Sequence, residues 1–141
     1  MISETVRKGE IGCFKVGLAC LEKGAEFCRP SVDSAKYDAI IDYEGKLYRA
    51  QIKYADAAAN HSQGAVWVNF FNAKDKEKYK LDKYLDGVDS LLVYVPKIDA
   101  VLWFDAKDLK KKTSLHIRLK PPKNNQKKGI TLAEDYVWHQ F

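Results

Sequence analysis

The 141-residue chain is predicted to be an α/β domain with a mixed central β-sheet flanked by helices, on three observations. Apolar residues recur at intervals of three and four near the start, period-two alternation flanks Glu44-Gly45, and Ser90–Val95 is an almost unbroken apolar run. The first marks an amphipathic helix, the second an antiparallel hairpin, and the third a central strand buried on both faces. An apolar content of 46% with 12% aromatics is enough for a core and too much for disorder, so residues 1–141 are expected to form a single domain.

Residues 6–23 are predicted as the first helix, with Ile11, Phe14, Leu18 and Leu21 as its inward stripe and Gly24 at the usual C-terminal glycine position. Glu10 lies on that stripe, one turn before Phe14, and is expected to point inward. A glutamate there complements the helix dipole, and it can equally reach a site beneath the helix. Residues 25–29 read as a short strand and 30–36 as a polar loop. Ser31 and Ser34 in that loop have hydroxyls that suit either turn chemistry or a phosphate.

The hairpin at 37–53 is the most informative stretch. A two-residue loop ending in Gly favours the primed turns that preserve strand twist, and it sets Tyr43 opposite Lys46, Asp42 opposite Leu47, Ile40 opposite Arg49 and Asp38 opposite Gln51. Side chains alternate with a period of two. Asp38, Gln51 and Lys53 therefore share one face, while Ala39, Ile41, Tyr43, Tyr48, Ala50, Ile52 and Tyr54 share the other, which can pack on a core. The polar trio is either an ordinary cross-strand set on a solvated face or the carboxylate, carboxamide and ammonium that a metal-dependent hydrolase requires.

Residues 56–64 are small and polar. They form either a solvated connector or a loop whose Asn60, His61 and Gln63 suit the base edges of a DNA groove. A strand at 66–70 follows, then a helix at 72–85 capped by Asn72 and closed by Gly87. Strands are expected at 90–95 and 100–104, and the lysines at 110–112 read as a solvated face. Residues 115–119 are expected as an edge strand. The basic loop at 120–129 carries Lys123, Lys127 and Lys128, which suit phosphate tracking. Thr131 and Glu134 match a capping box and predict a short closing helix.

Lys plus Arg number 24 against 19 Asp plus Glu, and the net charge of +5 suits a polyanionic partner. Cys13, Cys20 and Cys28 form no CxxC pair and have no histidine at ligand spacing, so zinc and redox roles lack support and buried thiols are expected. No apolar stretch approaches the roughly 18 residues that a membrane span requires. The expected location is the cytoplasm, with no membrane partner.

An Asp early in one strand followed by Gln-Ile-Lys in the next resembles the PD-(D/E)XK nuclease superfamily, with Gln51 at the acid position. The wider pattern adds Lys8-Gly9-Glu10-Ile11-Gly12, Arg29-Pro30-Ser31, Tyr37-Asp38 and the Leu91-to-Pro96 strand. It covers most of residues 8–105 and is similar to the branch that holds group I intron homing endonucleases, including their Gln-x-Lys variant, and archaeal-type Holliday junction resolvases.

The resemblance implies a PD-(D/E)XK nuclease-like fold and an Mg²⁺-dependent endonuclease, with Mn²⁺ as a substitute metal, acting on double-stranded or branched DNA. Homing-type, site-specific cleavage is the leading expectation, with junction resolution or an inactive DNA-binding protein as alternatives. Glu10, Asp38, Gln51 and the backbone carbonyl of Ile52 would hold the metal, and Lys53 would hold the attacking water. A single site cuts one strand, so a homodimer or homotetramer is expected.

Overall fold

A computed structural model describes residues 1–32, 35–59, 62–69, 85–109, 114–121 and 129–141. The helix α1 spans Glu4–Glu22 and starts two residues earlier than the apolar spacing predicts, because Ser3 caps it: its hydroxyl accepts the Val6 N–H at 3.2 Å. Gly24, at a φ of 74°, turns the chain out of the helix.

The face that α1 buries is not the predicted one. Gly12, Cys13, Val16, Ala19 and Cys20 lie against the sheet, whereas Phe14 is 72% and Leu21 is 70% exposed, and Ile11 and Leu18 are exposed as well. Both rows have helical spacing, so periodicity alone does not choose between them. The row of small residues lets the helix lie close on the strands, with Gly12 beside Tyr54 and Ile52. Glu10 accordingly faces solvent, not the interior.

The main sheet has the order β1-β2-β3-β6-β7-β10, formed by β1 (Glu26–Cys28), β2 (Ala39–Tyr43), β3 (Lys46–Tyr54), β6 (Ser90–Val95), β7 (Ala100–Asp105) and β10 (Val137–Gln140). Only β3 and β6 run parallel, so the sheet is mixed as predicted. The β2–β3 register matches the sequence reading: Tyr43 opposes Lys46, Asp42 opposes Leu47 and Ile40 opposes Arg49. Glu44 and Gly45 both have positive φ, at 52° and 79°, as a type I′ turn requires. Every residue of β6 is buried, in keeping with a central strand.

Two cores sit on opposite faces of this sheet. On one, Val16, Ala19 and Cys20 of α1 pack with Ile41, Ala50, Leu92 and Val101. On the other, Leu91, Val93, Val95, Leu102 and Phe104 pack against Val66, Val68, Leu115 and Ile117. The latter four belong to a second sheet, of order β4-β5-β8-β9, made of β4 (Ala58–Ala59), β5 (Ser62–Asn69), β8 (Ser114–Arg118) and β9 (Thr131–Leu132). The overall class is α/β, with α1 covering one face of the mixed sheet and the second sheet covering the other.

The second sheet corrects three expectations. The predicted connector at 56–64 is partly strand, because β4 pairs back on β5. The expected edge strand β8 lies inside its sheet, between β5 and β9. The closing helix does not form. Thr131 and Leu132 pair with β8, a 3-10 turn follows at Ala133–Asp135 without a side-chain cap, and β10 joins the edge of the main sheet. The apolar residues Trp138 and Phe141 gain more by packing against the α1-side core than a two-turn helix would give them.

A polar latch holds this end. Asp99 Oδ1 accepts hydrogen bonds from Tyr94 Oη at 2.6 Å and Lys15 Nζ at 3.0 Å, and the Lys15 ammonium lies 4.4 Å from the Phe141 ring centroid. Of the predicted buried thiols, Cys13 and Cys20 are buried and Cys28 is exposed. No helix among the described residues is long and apolar enough to cross a membrane. The predicted helix at 72–85, apart from Leu85, and the lysines at 110–112 lie outside the described residues.

Candidate active site

Asp38 stands one residue before β2. Its N–H donates to the Ala50 carbonyl at 2.8 Å, and its Oδ2 accepts the Ile52 N–H at 2.8 Å. The carboxylate thus takes the place of the next backbone acceptor in the β2–β3 ladder, which fixes it. In a strand the N–H and C=O of one residue point the same way, so the Ile52 carbonyl also faces the side where β2 stops and Asp38 stands.

Gln51 and Lys53 project to the opposite face from Ile52 and share the face of their parallel partners, Leu91 and Val93. The Gln51 side-chain amide donates to the Lys36 carbonyl. That bond orients the carboxamide, nitrogen towards the loop. Asp38, Gln51 and Lys53 are therefore grouped at one end of the β2–β3 pair, as the alternation predicts, and the Ile52 carbonyl lies between the last two.

Glu10 arrives from α1 and is clasped by Arg29, whose Nη1 donates to Oε2 at 3.1 Å and Nη2 to Oε1 at 3.2 Å. Both side chains are about half exposed, at 47% and 48%. The pairing of Cys28 with Ile40 brings the residue after β1, Arg29, level with the start of β2. Sequence reading treated Arg29 only as part of a family pattern. Its position one residue past a strand that pairs with β2 was the available signal.

The electrostatics tie these groups together. Burial pushes the Asp38 carboxyl above the usual carboxylate range, while the Ile52 N–H and the charges of Lys53 and Arg29 pull it back and Glu10 adds to the rise. The Arg29 hydrogen bonds hold Glu10 below its ordinary value. Cys13, one turn after Glu10, is pushed up to about 11, chiefly by burial, so it remains a thiol at neutral pH and no nucleophile. Lys8, also in the predicted motif, is held by Asp56 at 2.6 Å and ties α1 to the segment after β3.

Two carboxylates, an amide oxygen and a backbone carbonyl make an all-oxygen set, which fits a hard divalent cation such as Mg²⁺. Among the described residues no three of His, Cys, Asp and Glu cluster as metal ligands. Ser31 is exposed two residues beyond Arg29. Ser34, Asn60, His61, Lys123, Lys127 and Lys128 lie outside the described residues; for Gln63 only the backbone, in β5, is described.

The chain matches the family model described as PD-(D/E)XK endonuclease over residues 3–139. No curated protein matches it. Among solved structures it is similar to a bacterial homing endonuclease, I-Ssp6803I, with a TM-score of 0.69 at 20% identity, over 95% of this chain and 87% of that one.

Proposed function

Because this chain belongs to the PD-(D/E)XK endonuclease family, we propose that it hydrolyses DNA phosphodiester bonds with a divalent metal, Mg²⁺ or Mn²⁺, at the Asp38 cluster. The observation that carries the proposal is the pinning of Asp38 by the Ile52 N–H, with Gln51 and Lys53 on either side of Ile52 in the same strand. The ligands would be Asp38, Glu10, the Gln51 side-chain oxygen and the Ile52 carbonyl. A metal bound there supplies charge compensation for the phosphoryl oxygens and a more acidic water. Lys53 would hold the attacking water in line with the phosphorus and stabilise the extra negative charge of the transition state. Arg29 and Lys53 offset the negative charge of Glu10 and Asp38, so that an incoming phosphate is not repelled.

Site-specific cleavage of double-stranded DNA of the homing type is the finer reading, supported by the likeness of fold to a homing endonuclease. It calls for a homo-oligomer, since the described residues of each chain offer one such cluster. The exposed residues Ile11, Phe14, Leu18 and Leu21 support self-association, because their 3-4-3 spacing is that of a seam between paired helices. Replacing Phe14 and Leu21 by Ser should then shift the sedimentation coefficient to that of a monomer.

Incubation of supercoiled plasmid and of a labelled four-way junction with Mg²⁺, with EDTA, and with Lys53→Ala protein tests the activity. Discrete double-strand cuts that need Mg²⁺ and Lys53 are expected. Symmetric nicking of the junction alone would make the protein a resolvase, and binding of both DNAs with cleavage of neither, with cognate sites represented, would remove the catalytic reading.

A further inference from the structure

We infer that Arg29 is a positioning residue that holds Glu10 in the free protein and passes to a DNA phosphate when substrate enters, releasing Glu10 to the metal. The inference rests on the assignment of Glu10 and Asp38 as metal ligands, and it makes the binding of metal and of DNA cooperative.

The two terminal guanidinium nitrogens of Arg29 each donate to one Glu10 oxygen. The planar fork of arginine fits a phosphodiester's two unesterified oxygens as well as it fits a carboxylate. Because the pair is half exposed, breaking it costs little. The pairing of Cys28 with Ile40 sets Arg29 beside the start of β2, where Asp38 stands, so a phosphate delivered to the cluster comes within its reach.

The charge balance gives the exchange a purpose. With Glu10 and Asp38 negative and Lys53 and Arg29 positive, the four groups sum to zero, so a dication entering the free protein finds its ligands already compensated. An incoming phosphate brings a negative charge and draws Arg29 off Glu10. One carboxylate is thereby uncovered at the moment the metal has a substrate to act on. By linkage, whatever DNA adds to metal affinity, metal must add to DNA affinity.

The test uses the full chain. Mn²⁺ is titrated calorimetrically into wild-type, Arg29→Met, Glu10→Gln, Asp38→Asn and the Glu10→Gln/Arg29→Met double variant without DNA. Binding of a labelled duplex of arbitrary sequence at low salt is then measured by anisotropy in Ca²⁺ and in EDTA for the wild type and Arg29→Met. Arg29→Met is expected to bind Mn²⁺ about tenfold more tightly than wild type, within the usual range of coupling between sites. The gain should vanish in the Glu10→Gln background. The benefit of Ca²⁺ to duplex binding should shrink in Arg29→Met.

Equal or weaker Mn²⁺ binding by Arg29→Met, with Glu10→Gln still impaired, would overturn the exchange and leave the metal site standing; so would a gain that persists without Glu10. Unaltered Mn²⁺ binding by both Glu10→Gln and Asp38→Asn would remove the metal site itself, and the exchange with it. Arg29→Lys, which keeps the charge but not the fork, should fall between wild type and Arg29→Met.

Discussion

The Asp38 carboxylate accepts the Ile52 N–H at 2.8 Å and so extends the β2–β3 ladder by one side-chain rung. A residue proposed to bind metal is therefore also part of the sheet. Asp38→Asn keeps an acceptor for this N–H and should fold with near wild-type stability while losing divalent-metal affinity. Asp38→Ala leaves the N–H without its partner and should cost about 1 kcal/mol more than Asp38→Asn. Urea denaturation of the two variants measures the difference.

Lys53→Ala should lower the cleavage rate by at least about 10²-fold, the scale for a group that handles the proton or charge of the reacting water, and leave duplex binding in Ca²⁺ within a few-fold. Single-turnover rates and anisotropy separate the two effects. Equal losses in both would make Lys53 a DNA contact and not a catalytic group.

Gln51→Glu should tighten Mg²⁺ binding by adding a third carboxylate. It should also cost about 1 kcal/mol in stability, because the present side-chain amide donates to the Lys36 carbonyl and a carboxylate has no proton to give. Calorimetric Mg²⁺ titration paired with thermal melting reads both. Unchanged metal affinity would place Gln51 outside the metal shell.

Asp38 has a proton affinity raised chiefly by burial, and the sign of its effect follows. Without metal, the folded chain holds this proton more firmly than the unfolded chain does, so its contribution favours folding at low pH and is lost as pH rises through the folded value. Wild-type protein should lose stability relative to Asp38→Asn over that interval. Metal binding should show the opposite trend: it needs the charged form and should fade on acidification at a higher pH than for an ordinary carboxylate. Denaturation and Mn²⁺ titrations across pH check the two trends.

Asp99 joins Tyr94 and Lys15 at a backbone φ of 48°, in the left-handed region that Asn tolerates and Ala does not. Asp99→Asn should cost less than about 1 kcal/mol, whereas Asp99→Ala, losing the acceptor and adding strain, should cost about 2 kcal/mol. Thermal unfolding of the pair distinguishes them.

The hairpin was legible in the sequence because two independent signals, the alternation and Glu44-Gly45, specify one register, and that register alone aligns Asp38, Gln51 and Lys53. The orientation of α1 was not, because Ile11-Phe14-Leu18-Leu21 and Gly12-Val16-Ala19-Cys20 both repeat helically, and side-chain size, not spacing, decides which row meets the sheet. The second sheet was only half legible. Val66 and Val68 alternate clearly, but β4 and β9 are two residues each, too short for any period. The capping-box pattern at Thr131 was overridden by pairing with β8. Arg29 went unassigned because its role depends on a contact with Glu10, nineteen positions away.

The parallel pairing of β3 with β6 has a consequence for the chain as it leaves the ribosome. Glu10, Arg29, Asp38, Gln51 and Lys53 all emerge before Tyr54, yet the strand carrying the last two acquires its second neighbour only after Ser90–Val95 has been synthesised. A nascent chain stopped before that point holds every proposed catalytic side chain without the central strand that stiffens their support. Assembly of the proposed site should then await that long-range pairing, a slow step for loop-closure reasons, so the young polypeptide would hold the proposed side chains well before their scaffold is complete.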